Sequence, residues 1–325
     1  MLKRYLVTGG TGFIGSELVK RLVQEKHFVR VLDNNSRGAI TRLKDVIKEI
    51  EFVDADIRDT EAVIRSAKKM DSILHLAYVN GTEFFYSQPE LVLDIAIRGM
   101  LNIVDACRKQ DVGELILASS SEVYQTPPMI PAPEDIPLVV PDVMNPRYSY
   151  GGGKLACELM AINFGRKYLD RALIFRPHNV YGKDMGFEHV IPQLAMRSGK
   201  LAKAQPKGTL AFEIQGDGTE TRAFVHVDDF TAGLMIILEK GEHLNIYNIG
   251  NDEEVSIRTV IDHMFDHFGR DYKLISGELL KGSVRRRCPN INKLKSLGYS
   301  PKIPLKEGIL EVIDWYVDYA TKAND

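Results

Sequence analysis

The chain begins with a strand-like run that ends in a glycine turn, Arg4-Tyr5-Leu6-Val7-Thr8-Gly9-Gly10-Thr11-Gly12-Phe13-Ile14-Gly15. This segment constrains the fold more than any other. Leu6 and Val7 read as a buried parallel strand, and residues 16–24 as the helix that follows. Gly10, Gly12 and Gly15 satisfy the G-x-G-x-x-G spacing. In such a turn the first glycine allows the sharp bend, the second lets the backbone approach a pyrophosphate, and the third lets helix pack on strand. Unpaired N–H groups at the helix start then face the phosphates. A second strand, residues 28–32, ends at Asp33, 18 residues after Gly15, where a ribose-binding carboxylate belongs. A glycine turn can simply join strand to helix. Here the N-terminal position, the preceding strand and Asp33 together point to a dinucleotide.

The 325 residues, 44% of them hydrophobic, suit one large domain or two intimate ones with a sizeable core. A net charge of -2 gives no reason to expect nucleic acid or an anionic membrane as partner. Met1-Leu2-Lys3-Arg4 leads into a strand rather than a signal region, and apolar stretches such as residues 234–238 are too short to cross a bilayer. Cys107, Cys157 and Cys288 are scattered without a C-x-x-C pair. Three such thiols suit a reducing cytoplasm, with no structural zinc and no other metal centre. Their ordinary role is buried packing.

Strand and helix patterns alternate through the first half, with strands expected at residues 5–7, 28–32, 50–54, 72–76, 114–119 and 172–176. Helical stretches fall between them, for example 91–108 and 154–167. The expected fold is α/β, a Rossmann-like doubly wound parallel sheet with a smaller, threaded C-terminal substrate-binding domain. The dinucleotide domain would take residues 1–178 plus about 223–251. The substrate domain would take about 179–222 and 252–325, where the pattern turns irregular, with short helices and isolated strands such as 244–249. Residues 127–146 hold seven of the fourteen prolines and read as an extended loop beside the site.

Tyr150 and Lys154 are spaced i, i+4, which puts both on one face at the start of a helix. An ammonium beside a tyrosine hydroxyl favours the tyrosinate and makes it a usable general base. The intervening Gly151-Gly152-Gly153 weakens a helix by about 1 kcal/mol per residue relative to alanine. Such a loss implies either close approach to this backbone or a loop–helix boundary. Ser119-Ser120-Ser121-Glu122-Val123-Tyr124 follows the strand at 114–119. Its hydroxyls are placed to meet a substrate oxygen or to cap the next helix.

Together these residues resemble the extended short-chain dehydrogenase/reductase family, the NAD-dependent epimerases and dehydratases of nucleotide sugars. The likeness runs along essentially the whole chain. It is carried by the glycine turn, Asp56-Ile57-Arg58-Asp59, His75-Leu76-Ala77, Ser119 to Tyr124, Tyr150 to Lys154, and Arg176-Pro177-His178-Asn179-Val180-Tyr181-Gly182. Gly216-Asp217-Gly218-Thr219-Glu220-Thr221-Arg222, Val227-Asp228-Asp229 and Tyr247-Asn248-Ile249-Gly250 complete it.

The resemblance implies NAD as cofactor, with NADP disfavoured by the charge of Asp33, although Arg37 softens that preference. The implied cofactor contacts are Gly9, Gly12, Phe13, Ile14, Gly15, Asp33, Asn34, Ser36, Arg37, Asp56, Ile57, Leu76, Ala77 and Tyr78, together with Tyr150 and Lys154. Tyr150 would act as base at the sugar C4 hydroxyl, Lys154 as its partner and ribose anchor, and Ser120 or Ser121 would steady the C4 oxygen. Asn179, Arg222 and Arg285 look like diphosphate contacts, because an arginine fork suits a diphosphate. Arg287 falls near a carboxylate-facing arginine of the decarboxylases. Asp228 and Asp229 read as structural, and His178, His189 and His226 as packing or pocket lining. Three positions depart from the usual pattern: Tyr78 replaces a second alanine, Gln125 a glycine, and Ala96 an asparagine. They leave the catalytic pair intact and alter the pocket.

By the same resemblance the reaction starts with oxidation at C4 and then divides. A 4-epimerase returns hydride to the other face of the ketone. A 4,6-dehydratase takes the C5 proton and expels the C6 hydroxyl. A decarboxylase loses carbon dioxide from a uronic acid. Glu122 discriminates among them, since a carboxylate beside C5 and C6 serves proton chemistry there. The Ser121-Glu122 pair resembles that of GDP-mannose 4,6-dehydratases and UDP-glucuronate decarboxylases, and the Asp-Glu pair of dTDP-glucose 4,6-dehydratases is absent. C5 chemistry is therefore favoured over 4-epimerisation, unless Glu122 merely serves a helix dipole. A one-way nucleotide-sugar reductase and a non-catalytic NAD-binding scaffold or sensor are the remaining alternatives. Helices 91–108 and 154–167 carry apolar stripes (Leu101, Val104, Leu155, Leu159, Ile162) that suit a homodimer or packing on the sheet. The expected partner is a nucleoside-diphosphate sugar, in polysaccharide biosynthesis.

Overall fold

The computed structural model describes residues 2–278 and 284–322. Strand β1 (Arg4–Thr8) turns into α1 (Phe13–Gln24), followed by β2 (Phe28–Asp33) and β3 (Ile50–Asp54). Helix α2 (Thr60–Ala67) leads to β4 (Ser72–His75), then α3 (Thr82–Ser87) and α4 (Pro89–Gln110) to β5 (Glu114–Ala118), and α5 (Tyr148–Tyr168) to β6 (Arg171–Pro177). The second half contains β7 (Val180–Tyr181), α6 (Val190–Ala204), β8 (Leu210–Ile214), β9 (Thr221–Ala223), β10 (Val225–His226) and α7 (Val227–Lys240). After these come β11 (Asn245–Ile249), β12 (Glu254–Ser256), α8 (Ile257–His267), β13 (Tyr272–Ser276), β14 (Arg286–Arg287), α9 (Asn292–Lys295) and α10 (Leu305–Lys322).

Seven strands form the central sheet in the order β11-β6-β5-β4-β1-β2-β3, and every pairing in it is parallel. A parallel sheet must be covered on both faces, and strand alternation supplies the two surfaces. Tyr5, Val7, Val29 and Val31 pack with Leu18, Leu22, Phe230 and Leu234 of α1 and α7. Leu6, Leu32, Ile73 and Leu115 pack with Val63, Met100, Ile103 and Cys157 of α2, α4 and α5. The strand order changes direction between β1 and β4, so the crevice at their C-terminal ends is where such a sheet takes a ligand.

Another buried cluster joins α6, β8, α8 and α10 through Leu194, Phe212, Met264, Phe265, Ile309 and Val312. This half is more regular than its sequence suggested. Helices α6, α7 and α10 run 15, 14 and 18 residues, where short helices were expected. Helices α6 and α10 share that cluster while α7 packs on the sheet with α1, so each core is drawn from distant segments, which a local pattern does not display. Helix α5 also starts six positions earlier than the stretch 154–167, so Gly151, Gly152 and Gly153 lie inside it. The proline-rich loop is tied to the second half: Ala132 N–H donates to Cys288 O at 2.9 Å and Asn290 N–H to Ala132 O at 2.8 Å. Among the described residues no helix is long and apolar enough to cross a membrane.

Candidate active site

A cleft opens where β1, β2 and β4 end. Gly9, Gly12, Asp33, Asn34, Ser36, Arg37, Asp56, Ile57, Leu76, Ala77 and Tyr78 line it, joined by Gly38, Ala55, Val79 and Ile95. Those last four were not singled out from sequence; small or apolar residues in loops beyond a strand or, like Ile95, on a helix carry no chemical signal. Phe13, Ile14 and Gly15 form the first turn of α1 beside it.

The glycines are there for closeness. Gly9 has φ 74°, and a Cβ on it would lie 2.5 Å from Ala77 N. A Cβ on Gly15 would run into the Gly9 carbonyl. Gly12 stands before α1 and provides no side-chain cap, and no acid occupies the first turn. The helix therefore presents open N–H groups and an uncompensated positive end, the cradle a pyrophosphate needs. Asp33 accepts from Thr11 N and Asn35 N, each at 2.9 Å, so one carboxylate shapes the glycine turn and faces the cleft. Arg58 pairs with Asp56 at 2.8 Å and, by hydrogen bonding, holds its carboxyl below the usual range. Arg37 pairs with Glu188 at 3.0 Å and lies 4.7 Å from the centre of the Phe84 ring, so its charge is already compensated. These donors and cavities fit a dinucleotide.

Tyr150 and Lys154 are both buried on the first turns of α5. Phe85 stacks on Tyr150 at 4.8 Å and Tyr78 meets it edge-on at 5.1 Å. The expected pairing is modified here. Lys154 Nζ donates to Ala118 O at 2.8 Å and lies 3.8 Å from the Tyr78 ring centre, against 6.0 Å for the Tyr150 ring. Burial pushes the Tyr150 hydroxyl up to about 12, with the hydrogen bond it shares with Ser120 working the other way. Burial brings Lys154 down to about 8. A carbonyl and an aromatic face therefore hold the ammonium, with the Tyr150 ring farther off.

The glycines of α5 are explained by neighbours. A Cβ on Gly151 would lie 2.6 Å from Gln125 Nε2, and one on Gly153 would lie 2.5 Å from the Tyr78 hydroxyl and 3.0 Å from Ala96 Cβ. Gly152 would make ordinary contact with Val140. So the backbone is approached closely, by the chain's own Tyr78 and Gln125.

The three serines separate. Ser119 Oγ donates to Glu158. Ser120 caps a short 3-10 turn by accepting from Glu122 N at 3.1 Å, and Ser121 is buried in that turn. Glu122 pairs with Arg287 at 2.8 Å. Burial opposes its charge, yet Arg287, Arg147 and Arg222 together hold its carboxyl below the usual range. Arg287 stands opposite Arg222 in the β14–β9 register. Arg222 donates to the Thr221 and Arg285 carbonyls, and burial lowers it to about 10. The basic triplet splits: Arg286 pairs with Glu254, Arg287 turns inward, and Arg285 is exposed with its carbonyl serving Arg222. Asn179 donates to Ala223 O at 3.0 Å. Arg147, whose Nε is buried without a partner among the described residues, was not singled out from sequence. Its position just before the tyrosine turn is the signal that was available. Asp229 accepts from Lys302 N and Ile303 N, a structural role as expected, and His178 bonds Asn248 at 3.0 Å.

The profile of the NAD dependent epimerase/dehydratase family matches residues 5–250. A protein of Methanocaldococcus jannaschii that carries the provisional name UDP-glucose 4-epimerase is 33% identical over 313 residues, covering 95% of this chain and 97% of its own. UDP-glucuronic acid decarboxylase 6 of Arabidopsis thaliana is 31% identical over 313 residues, covering 94% and 86%. The crystal structure of DesIV, a dTDP-glucose 4,6-dehydratase from Streptomyces venezuelae with NAD bound, superimposes with a TM-score of 0.84 at 28% identity and covers 98% of each chain.

Proposed function

The chain belongs to the NAD-dependent epimerase/dehydratase family, and from that premise we propose that it oxidises a nucleoside-diphosphate sugar at C4 and then carries out proton chemistry at C5. It is an NAD-dependent enzyme of the nucleotide-sugar epimerase, dehydratase and decarboxylase class. The turn of Gly9, Gly12, Phe13, Ile14 and Gly15 would hold the NAD pyrophosphate. Asp33, Asn34, Ser36 and Arg37 would surround the adenosine ribose, Asp56 and Ile57 the adenine edge, and Leu76, Ala77 and Tyr78 the nicotinamide half. Bound there, NAD would supply the hydride acceptor for sugar C4. Tyr150, as its tyrosinate, would accept the proton of the C4 hydroxyl, Lys154 would supply the positive charge that favours that form, and Ser120 or Ser121 would steady the oxygen as it becomes a carbonyl. Asn179, Arg222, Arg285 and Arg287 face the diphosphate and the sugar.

The observation that carries C5 chemistry is Glu122, a largely buried carboxylate whose charge is felt at Tyr150. Next to the 4-keto sugar it would take the acidified C5 proton and pass it to the C6 hydroxyl, which leaves as water; the hydride taken from C4 would then return to C6 and a solvent proton to C5. On a uronic acid it would return a proton to C5 after carbon dioxide departs. A 4-epimerase needs no carboxylate here. One observation favours that second reading: Glu122 is already committed to Arg287 and held ionised, which weakens it as a base. Leu93, Ile97 and Leu101 form an exposed row on α4, with Leu159 exposed on α5, and support a homodimer through this face. Val104 is buried in the core and takes no part in it. The three cysteines are buried and free, which supports a reducing cytoplasm.

A panel of UDP-, GDP-, CDP- and dTDP-sugars in deuterated water, read by mass spectrometry, tests this. Loss of water or of carbon dioxide with deuterium entering the sugar is the expected result. A new sugar of unchanged mass without deuterium would establish the 4-epimerase and overturn the role given to Glu122.

A further inference from the structure

We propose that Tyr78 is a positioning residue of the catalytic corner, holding the Lys154 ammonium on its ring face and bracing Tyr150 with its edge. The role rests on the reading of Tyr150 and Lys154 given above. Tyr78 follows β4 and reaches across to α5. Its ring centre lies 3.8 Å from Lys154 Nζ, well inside the range of a cation–π contact, which strengthens where water is excluded. Its ring meets Tyr150 at 5.1 Å with planes 85° apart. With Ala118 O at 2.8 Å on the remaining side, the ammonium is fixed between a carbonyl and a π-face. The other groups around it are His75 from β4 and Cys157 and Glu158 from α5.

The fit is built from both sides. The Tyr78 hydroxyl is buried and has no hydrogen-bond partner among the described residues, so hydrogen bonding does not account for the tyrosine. It occupies the space left by Gly153 and Ala96: a Cβ on Gly153 would stand 2.5 Å from the Tyr78 oxygen and 3.0 Å from Ala96 Cβ. A glycine inside a helix costs stability, and here that loss makes room for a ring under the lysine. A bulky residue at 78, a glycine at 153 and a small residue at 96 form one steric unit.

The test measures kcat, KM and the pH profile on the nucleotide sugar converted in the panel, for Tyr78→Phe, Tyr78→Leu, Gly153→Ala and the double variant Gly153→Ala/Tyr78→Phe. Tyr78→Leu lowers kcat about tenfold or more below Tyr78→Phe, which keeps the ring. In Tyr78→Leu the KM for the sugar stays within about twofold, and the acid limb of the profile moves up by about one pH unit. Gly153→Ala pushes the hydroxyl off its seat and lowers kcat, and adding Tyr78→Phe removes the clashing oxygen and restores it. Tyr150→Phe and Lys154→Met are measured beside them. If those two are inactive while Tyr78→Leu keeps the parent kcat and profile, or if Tyr78→Phe falls as far as Tyr78→Leu, the positioning role is overturned alone. If Tyr150→Phe retains full turnover, or the parent converts no sugar, the reading of the pair fails and this role falls with it.

Discussion

Glu122 Oε1 lies 2.8 Å from Arg287 Nη1, and the side chains keep only 22% and 17% of their exposure. The pair joins the turn after β5 to β14 and so links the two halves of the chain at the site. Arg147 and Arg222 also act on it, while Glu220 and Glu254 act on Arg222 as well. These guanidiniums keep Glu122 ionised. Glu122→Gln preserves the shape and removes the base. Product formation is expected to fall by about 10²–10⁴-fold, with deuterium exchange at C5 lost. Reduction of NAD on mixing with the sugar, followed by its absorbance, continues. Unchanged product formation would leave Glu122 as a partner for Arg287 alone.

Asp33 carries a second prediction. Its carboxylate accepts one backbone N–H of the glycine turn, from Thr11, and one from Asn35, and the nearby Arg37 is engaged by Glu188. A 2′-phosphate would meet negative charge with no free cation from Arg37 to offset it. Calorimetry is expected to show NAD binding at least about tenfold tighter than NADP. Asp33→Ser should weaken NAD by about tenfold or more, since a charge-assisted hydrogen bond contributes about 1.5–3 kcal/mol. Equal affinity of the parent for NADP would contradict the assignment.

The sheet was legible because its signals are local. Leu6 and Val7 run into glycines, and Asp33 closes the second strand. Tyr150 and Lys154 were equally legible as a pair on one helix face. What local reading missed depends on residues far apart in the chain. The ammonium of Lys154 is held by Ala118 O and by Tyr78 rather than by its sequence neighbour Tyr150, and no spacing rule contains that. Gly151 and Gly153 signalled close approach correctly, but the approaching groups, Gln125 and Tyr78, came from other segments. Arg147 was hidden as one charge in a proline-rich loop. It becomes visible only when Glu122 and Arg222 are folded beside it.

The buried pair beneath the site gives a stability prediction. Arg176 Nη2 lies 2.6 Å from Glu158 Oε2, with the two side chains 1% and 6% exposed. Arg176 also donates to the Tyr124 hydroxyl at 2.7 Å and Glu134 O at 3.0 Å. Arg176→Met strands the Glu158 carboxylate, leaving it the Ser119 hydroxyl. The expected loss is about 3–5 kcal/mol by urea unfolding. Arg176→Met/Glu158→Leu removes both charges and should recover a substantial part of it. A single variant as stable as the parent would mean that water reaches Glu158.

Lys154 sets stability against function. Burial lowers its ammonium from 10.5 to about 8. Between those values the unfolded chain holds a proton that the folded chain has released, so this group's contribution makes stability rise with pH across that window. Below pH 8 the cost of burying the charge is present in full. Lys154→Met removes that cost, along with the hydrogen bond to Ala118 O. It is expected to stabilise the protein by about 1–3 kcal/mol at pH 7, and the gain should shrink toward zero as pH approaches 10.5. Urea unfolding of both proteins at the two ends of this range measures it. A variant less stable than the parent throughout would show that the Ala118 carbonyl and the Tyr78 ring already offset the burial of the charge. A variant that is more stable at neutral pH and inactive would place the cost of holding an ammonium at this depth on the side of catalysis.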